Sequence, residues 1–356
     1  MTAPVDRSVE TRITDVRRVV QAARSVMARR ATLMSSIVES TGLSGAGVEL
    51  AMTKHLELDP TDDELRRLVG HAGDAPRVAV ILSSNVFVGA LRAIAIARAA
   101  SNDVVVRPSR RDPTFTRALI EAASDPAIRL DEGLDVGDVT GGEIHIYGHD
   151  KTIAEVEARA RSGVRVVGHG SGMGIAWISS SADLATAARD LAEDVIVFDQ
   201  RGCLSPRVVL AEGPADRADG FAEALHAELE RLDILVPRGP LPAEERAASD
   251  RYVATMTYAC RALVGTDHAV GVAPPGAPMI PCPAYRHVHV TSCATEKDAL
   301  VLLGPLSKSV VAVGSDDQAA ARHLMGVLSP MRARISALGR MQRPPLDGPV
   351  DPRGLG

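Results

Sequence analysis

The chain has 356 residues, 46% of them apolar and 24% charged, with 30 glycines and 22 prolines, an ordinary globular composition long enough for two domains. A net charge of −5 and 3% aromatic residues argue against a nucleic-acid binder, which needs basic patches or stacking platforms. Four cysteines without a Cys-x-x-Cys pair, a polar N-terminus and no apolar run near 18 residues lead us to expect a soluble, cytoplasmic protein with neither signal peptide nor membrane span.

Residues 1–75 read as helical, with one helix over Arg12–Arg30 and shorter ones over 43–70, broken near Asp59-Pro60. The pattern changes at Pro76. RVAVILSS (77–84) reads as a strand, and NVFVGALRAIAIARAAS (85–101) as a helix with Arg92 and Arg98 off its apolar side. DVVVR (103–107) is a second strand, Thr114–Ala123 a helix, and EIHIY (143–147) a third strand. Thr152 followed by Glu155 suggests a capping box opening a helix that stops at Gly163, and VRVVG (164–168) is again a strand. Strands alternating with helices at this spacing predict a parallel sheet with crossover helices. Beyond the glycine-dense turn GHGSGMG (168–174) we expect a helix at 182–193, strand VIVF (195–198), a loop FDQRGCLSP carrying Cys203, and strand RVVLAEG (207–213). Helices at about 218–231 and 243–263 follow, then an irregular APPGAPMIPCP (273–283), strands HVHVT (287–291) and SVVAVG (309–314), and an extended tail lying on the surface or on a neighbour.

Cys203, in a tight polar loop after an apolar run, is the candidate nucleophile, since such a loop can offer backbone N–H groups to a thiolate or an oxyanion. The plain alternative is a half-buried structural thiol. Cys260 is expected in the core of the 243–263 helix. His169, flanked by glycines, can take a proton near neutral pH or simply bond to backbone. Asn85 is either the cap of its helix or an amide donor to an oxyanion. RPSRR (107–111) follows a strand, where ligands bind in open α/β sheets, and its three arginines suggest phosphate. Against a background of 36 arginines and 4 lysines, the alternative is a surface patch. The loop GHDKT (148–152), with Gly148, His149 and Lys151, suits phosphate at a helix N-terminus, although it is no Walker loop. GHGSGMG does not fit the G-x-G-x-x-G spacing of a Rossmann turn. His287 and His289, near Cys282 and Cys293, share a strand face but lack a third ligand at zinc spacing, so no metal is expected.

Taken together, SSNVFVGALRAIAIARAAS, VVVRPSRRDP, IYGHDKT, GHGSGMG, VFDQRGCLSPRVVLAEG and GRMQRPPLDGP resemble the aldehyde dehydrogenase superfamily, and within it the acyl-CoA reductase branch that supplies aldehyde for bacterial bioluminescence. The resemblance covers 76–214 well, 286–345 loosely and 1–75 hardly at all. It implies an α/β aldehyde dehydrogenase-like fold, with a parallel-sheet cofactor-binding domain plus an α/β catalytic domain. The expected division is an N-terminal helical region (1–75), a nicotinamide domain (76–168), a catalytic domain with the nucleophile loop (169–285) and a return segment with the tail (286–356). By the same resemblance Cys203 is the nucleophile and Asn85 holds the oxyanion. Arg107 takes the place of the lysine that reaches cofactor hydroxyls. Arg110 stands where a carboxylate normally grips the ribose of NAD, with Ser109 beside it. An arginine there would pair with a 2′-phosphate, so NADP(H) is preferred and NAD(H) is the alternative.

Ordinary members carry a glutamate 34 residues before the nucleophile, and here that residue is His169. Aldehyde oxidation needs a base that activates water, whereas acyl transfer through a thioester does not need that carboxylate. The resemblance therefore implies reduction of an acyl thioester, from acyl-CoA or an acyl carrier protein, to the aldehyde. The rival readings are a cysteine-dependent acyltransferase or thioesterase without nicotinamide, a semialdehyde dehydrogenase working oxidatively, and a non-catalytic scaffold. A homo-oligomer is expected. At this length part of the superfamily's N-terminal region and its bridging hairpin are expected to be missing, which bears on the dimer arrangement.

Overall fold

A computed structural model of the protein describes residues 7–280, 282–327, 333–351 and 353. The chain folds into two units, one running to Ser171 and including Pro345–Pro349, the other comprising Gly172–Pro344 and the residues from Val350 onward.

The first unit opens with four helices, α1 (Val9–Ala28), α2 (Arg30–Thr41), α3 (Gly45–Lys54) and α4 (Asp62–Ala72). Thr61 and Glu64 form a reciprocal capping box at the start of α4, fixing the helix just after Asp59-Pro60. The chain then alternates β1 (Val78–Ile81), α5 (Gly89–Ala100), β2 (Val104–Arg107), α6 (Thr114–Ala123), β3 (Ile128–Leu130), β4 (Glu143–Tyr147), α7 (Asp150–Arg159) and β5 (Arg165–His169). All neighbours are parallel, in the order β3-β2-β1-β4-β5. The order reverses between β1 and β4, the switch point at whose carboxyl side open α/β sheets bind ligands. Val78–Ile81 are all buried, as strands covered on both faces must be.

Helix α5 departs from the expected amphipathic pattern, for its residues are buried from Ala90 through Ala100, arginines included. Arg98 lies between Asp15 (2.9 Å) and Asp125 (2.8 Å), and Arg92 pairs with Glu57 and donates to the Pro345 carbonyl. A guanidinium is tolerated inside only when carboxylates and carbonyls replace its water. Burial alone would raise the Asp125 carboxyl, but Arg98 and the Ala127 N–H hold it below the usual range. The tail is likewise not a surface strand. Met341 and Leu346 are each 1% exposed, and Pro345–Pro349 is tied into the first unit through Arg92 and His71.

The second unit contains β6 (Met173–Ile178), α8 (Leu184–Ile196), β7 (Pro206–Glu212), α9 (Ala215–Leu235), α10 (Ala243–Ala259), β8 (Arg261–Val264), β9 (Ala269–Ala273), β10 (His287–Cys293), α11 (Glu296–Leu303), β11 (Val310–Ser315), α12 (Gln318–Val327) and β12 (Arg334–Ala337). Its sheet runs β12-β11-β6-β7-β10-β9-β8, parallel throughout except for the antiparallel edge pair β8–β9. Met173, Ile175 and Trp177 of β6 join Val208, Leu210, Leu303 and Val313 in one core cluster.

Several expectations need correction. VIVF is not a strand: Val195 and Ile196 finish α8, and Val197–Gln200 form a tight turn whose last three residues have positive φ. The Thr152 capping box does not form, because α7 begins three residues earlier with His149 as its cap, and it ends at Arg159. Helix α10 stops at Ala259, so Cys260 is its half-buried C-cap rather than a core residue, and Arg261–Val264 turns back as an edge strand. The strand expected over 77–84 is only Val78–Ile81, and the helix expected over 85–101 is Gly89–Ala100. No helix among the described residues is long and apolar enough to cross a membrane.

Arg98→Ala should destabilise the protein by about 3 kcal/mol, because the buried Asp15 and Asp125 lose the guanidinium they share and keep only Arg7 and the half-exposed Arg18. Denaturant unfolding of the variant against the wild type measures this.

Candidate active site

At the carboxyl edge of the first sheet stand Arg107 on β2, the 82–88 segment after β1, Gly148 after β4 and His169 on β5. Asn85 lies in that segment, four residues before α5, and is not the helix cap; Val88 holds that position without a side-chain bond. Asn85 is partly exposed, and its amide appears in no hydrogen bond among the described residues. Arg107 is partly exposed and donates to the Leu134 carbonyl at 2.9 Å. Burial lowers its pKa, and Arg110 and Arg159 lower it further while Asp135 opposes them. Asp135 is already paired with Arg159 at 2.8 Å. Three guanidiniums against one carboxylate therefore leave an excess of positive charge, which suits an anionic group. Arg110 and Arg111 are exposed, and the Ser109 hydroxyl accepts from the Arg111 N–H at 3.3 Å.

The β4–α7 loop places Gly148 with its N–H on the His169 carbonyl (3.2 Å), and His149 and Lys151 exposed at the helix start. The exposed Asp150 carboxylate accepts from the Ser171 N–H at 2.8 Å. The glycines of GHGSGMG serve close packing rather than an open phosphate loop. A Cβ on Gly168 would lie 2.7 Å from Ile153, and one on Gly170 2.4 Å from Asp150. His169 stacks on Tyr147 with ring centroids 4.2 Å apart.

Cys203 belongs to the second unit. Before it the backbone makes a left-handed turn in three successive non-glycine residues, Phe198 (φ 54°), Asp199 (φ 49°) and Gln200 (φ 58°). Such a run costs about 1–2 kcal/mol per residue and persists only where the surroundings over-determine it. The Asp199 carboxylate accepts from Arg286 (2.8 Å) and from the Gly239 N–H (3.0 Å). Arg286, 0% exposed, also pairs with Asp233 (2.9 Å), which in turn holds His268 at 2.6 Å. Gln200 grips β10 with both ends of its amide: Oε1 accepts from the His287 N–H (2.9 Å), and Nε2 donates to the His287 and Pro206 carbonyls (2.7 Å each). Leu204 lies with its carbonyl against Gly174, where a Cβ would come within 2.3 Å. These contacts clamp the turn ahead of Cys203, which is itself partly exposed.

Burial pushes the Cys203 thiol up to about 11, with Asp351 adding to the rise and Arg353 and Arg207 opposing it. The resting side chain is therefore a thiol, and nucleophilic attack needs a base to take its proton. Asp199, Gln200 and Arg286 were not singled out in the sequence. The one available signal was an acid and an amide directly after the buried run VIVF. His287 and His289 do share a face, as expected, both rings meeting Tyr252. Cys282 instead donates to the Arg207 carbonyl, and among the described residues no His, Cys, Asp and Glu are grouped to hold a metal ion.

A five-stranded parallel sheet with its switch point, followed by a second mostly parallel sheet carrying a loop cysteine, defines the aldehyde dehydrogenase fold. A benzaldehyde dehydrogenase from Corynebacterium glutamicum described as NAD-dependent superposes with a TM-score of 0.70 at 15% identity, over 92% of this chain and 80% of that one. Proline utilization A superposes with a TM-score of 0.66 at 15% identity, over 96% of this chain but only 40% of that one. Residues 57–348 match the family described as acyl-CoA reductase (LuxC), and the chain belongs to that family. Long-chain acyl-protein thioester reductase 2 of Photobacterium leiognathi is 23% identical over 184 residues, which are 47% of this chain and 38% of that protein. The match thus spans well under two thirds of the relative's length.

Two outcomes follow from the protonation states. At pH 7 Cys203 should be alkylated by iodoacetamide about 100-fold more slowly than an unperturbed thiol, with the rate rising steadily toward pH 11. Peptide-resolved mass spectrometry reads this. Burial also lowers His287 and His289 to about 4, below the value of about 6.5 they regain on unfolding. Their contribution is complete above pH 6.5 and is lost as pH falls toward 4, since only the unfolded chain takes up those protons. The unfolding free energy should fall by about 2 kcal/mol between pH 7 and 5.5, and His289→Gln should remove roughly half of that dependence.

Proposed function

We propose that the protein reduces an acyl thioester, acyl-CoA or carrier-bound acyl, to the corresponding aldehyde through an acyl-enzyme on Cys203. The observation that carries this reading is the clamped left-handed turn that holds a partly exposed cysteine in a chain of the acyl-CoA reductase family. His169 in place of a carboxylate supports thioester chemistry over water activation, as argued from the sequence.

The residues fit a nicotinamide dinucleotide on one count visible in the first unit, the uncompensated guanidiniums of Arg107 and Arg110 beside the sheet's carboxyl edge. When bound, such a cofactor supplies the hydride. Arg107, Ser109 and Arg110 would hold its adenosine end, and Gly148, His149 and Lys151 its phosphates. Arg110 favours NADP(H) over NAD(H), because a guanidinium pairs bidentately with a 2′-phosphate.

The chain's own groups then act in sequence. His169 takes the Cys203 proton, and the thiolate attacks the thioester carbonyl. The Asn85 amide and the Cys203 backbone N–H donate to the oxyanion. His169 returns its proton to the departing CoA or carrier thiolate, leaving the acyl group on Cys203. After reduction of that thioester the thiohemiacetal collapses to aldehyde and frees the thiol.

A panel of acyl-CoAs with NADPH and NADH, following absorbance loss and aldehyde together, tests the reading. Cys203→Ala should abolish both acyl adduct and aldehyde, and undiminished turnover by that variant would overturn it. An adduct without cofactor oxidation would point to an acyltransferase. Arg110→Glu should lower kcat/KM with NADPH about tenfold or more while affecting NADH far less.

A further inference from the structure

The alternation of β4 places Glu143, His145 and Tyr147 on one face of the sheet and Ile144 and Ile146 on the other, where the isoleucines pack with Val136, Val139 and Val156. In a Rossmann-type sheet both faces of an interior strand are normally apolar, so the polar row needs a reason. The row is connected. Arg165 of β5 donates to Glu143 Oε1 at 3.0 Å, and Glu143 Oε2 lies 3.1 Å from His145 Nε2. His145 Nδ1 lies 3.5 Å from His169 Nε2, the two rings being stacked at 5.7 Å. The ring of Tyr147 also stacks on His169. The register that pairs Tyr147 with His169 and Glu143 with Arg165 sets all of these contacts at once.

We infer that Glu143 and His145 are positioning residues that fix the tautomer of His169 and steady the charge it acquires. This rests on His169 being the proton acceptor of the proposed reaction. Each proton can be assigned in turn. Glu143 is an ionised acceptor, its carboxyl lowered by the His145 bond first, with burial opposing and Arg165 assisting. Its partner His145 must therefore donate from Nε2, which leaves Nδ1 of His145 as an acceptor. His169 must then donate from Nε2, and its lone pair is left on Nδ1. A proton arriving at His169 binds Nδ1, the S–H bond of the donor thiol breaks to thiolate, and the imidazolium so formed keeps its Nε2–H on His145. Glu143 stabilises that cation through one intervening ring. The charged and titratable groups on this row are Glu143 and Tyr147 from β4 and Arg165 from β5, and Asp150 of α7 is engaged with the Ser171 N–H.

The test uses the full chain labelled with ¹⁵N and long-range proton–nitrogen spectra of the imidazoles, with His145→Gln and His169→Gln identifying the two signals by their loss. In the wild type at pH above both titrations, His145 and His169 should each show the Nε2–H tautomer. In Glu143→Gln and His145→Phe, His169 should become a tautomer mixture and its pKa should fall by about half a unit or more. Acylation of Cys203 by acyl-CoA in a single turnover should slow about tenfold in His145→Phe, with KM changed less than twofold. An Nδ1–H tautomer at His169 in the wild type, or a His169 signal unaltered in a folded Glu143→Gln protein, would overturn the relay. Neither result depends on turnover, whereas aldehyde formation by Cys203→Ala would overturn the reductase reading and leave the relay standing.

Discussion

Arg286 is a guanidinium with no access to water, and inside the second unit Asp199 and Asp233 take the place of its hydration. The three groups come from places far apart in the chain: the turn before Cys203, helix α9 and the start of β10. Removing Arg286 would leave two buried carboxylates without their shared counter-charge, and removing either aspartate would leave the guanidinium half-neutralised, so the arrangement resists partial loosening. That stiffness is what a left-handed run of Phe198, Asp199 and Gln200 requires. Tyr285 (φ 67°) and Arg286 (φ 70°) are themselves left-handed, so the clamp closes between two strained segments, each holding the other. Gln200 completes the hold by sealing the turn to β10 and to the entry of β7.

The first unit is organised on a different principle. Its sheet is a packed apolar layer, and its polar chemistry is confined to the carboxyl edge and to one row of β4 and β5. The edge gathers Arg107, the Asn85 segment, Gly148 and His169 because every strand is parallel, so every strand ends on the same side. The row exists because a strand shows alternate residues to opposite faces, which lets Ile144 and Ile146 serve the core while Glu143 and His145 serve one another. Arg92 and Arg98 show the same economy on α5, where two buried charges tie the N-terminal helices and the 345–349 segment to the sheet.

Local pattern in the sequence carried most of the fold. The four strands of the first sheet that were read, and helix α6, have strong periodicity or β-branched runs bounded by glycine, proline or aspartate, and these agree with what tertiary packing also favours. The failures have physical causes. VIVF is a β-branched run, but its first half closes α8 and its second half enters the turn before Cys203, with all four side chains buried, so tertiary packing overrides strand preference. Strand β8 lies where the preceding helix was expected to run on to 263, and β6 begins inside the glycine-rich stretch, so neither was bounded by the turn signals that mark a strand. Arg92 and Arg98 looked like a solvent face because their carboxylate partners lie on other helices and loops.

The candidate site divides in the same way. Cys203, His169, Asn85 and the 107–111 arginines were legible because each is a chemically capable side chain in a loop or at a strand end, where exposure follows from position. Asp199, Arg286, His145 and Glu143 were not, since what sets each apart is a partner supplied by another segment. From the sequence alone came the alternation of elements and the parallel sheet, because local propensity and periodicity are short-range properties. Only the tertiary structure decided that Asn85 stands clear of its helix, that the thiol is held protonated, and that charges distant in the chain share one interior, because burial and ion pairing depend on what the rest of the fold brings alongside.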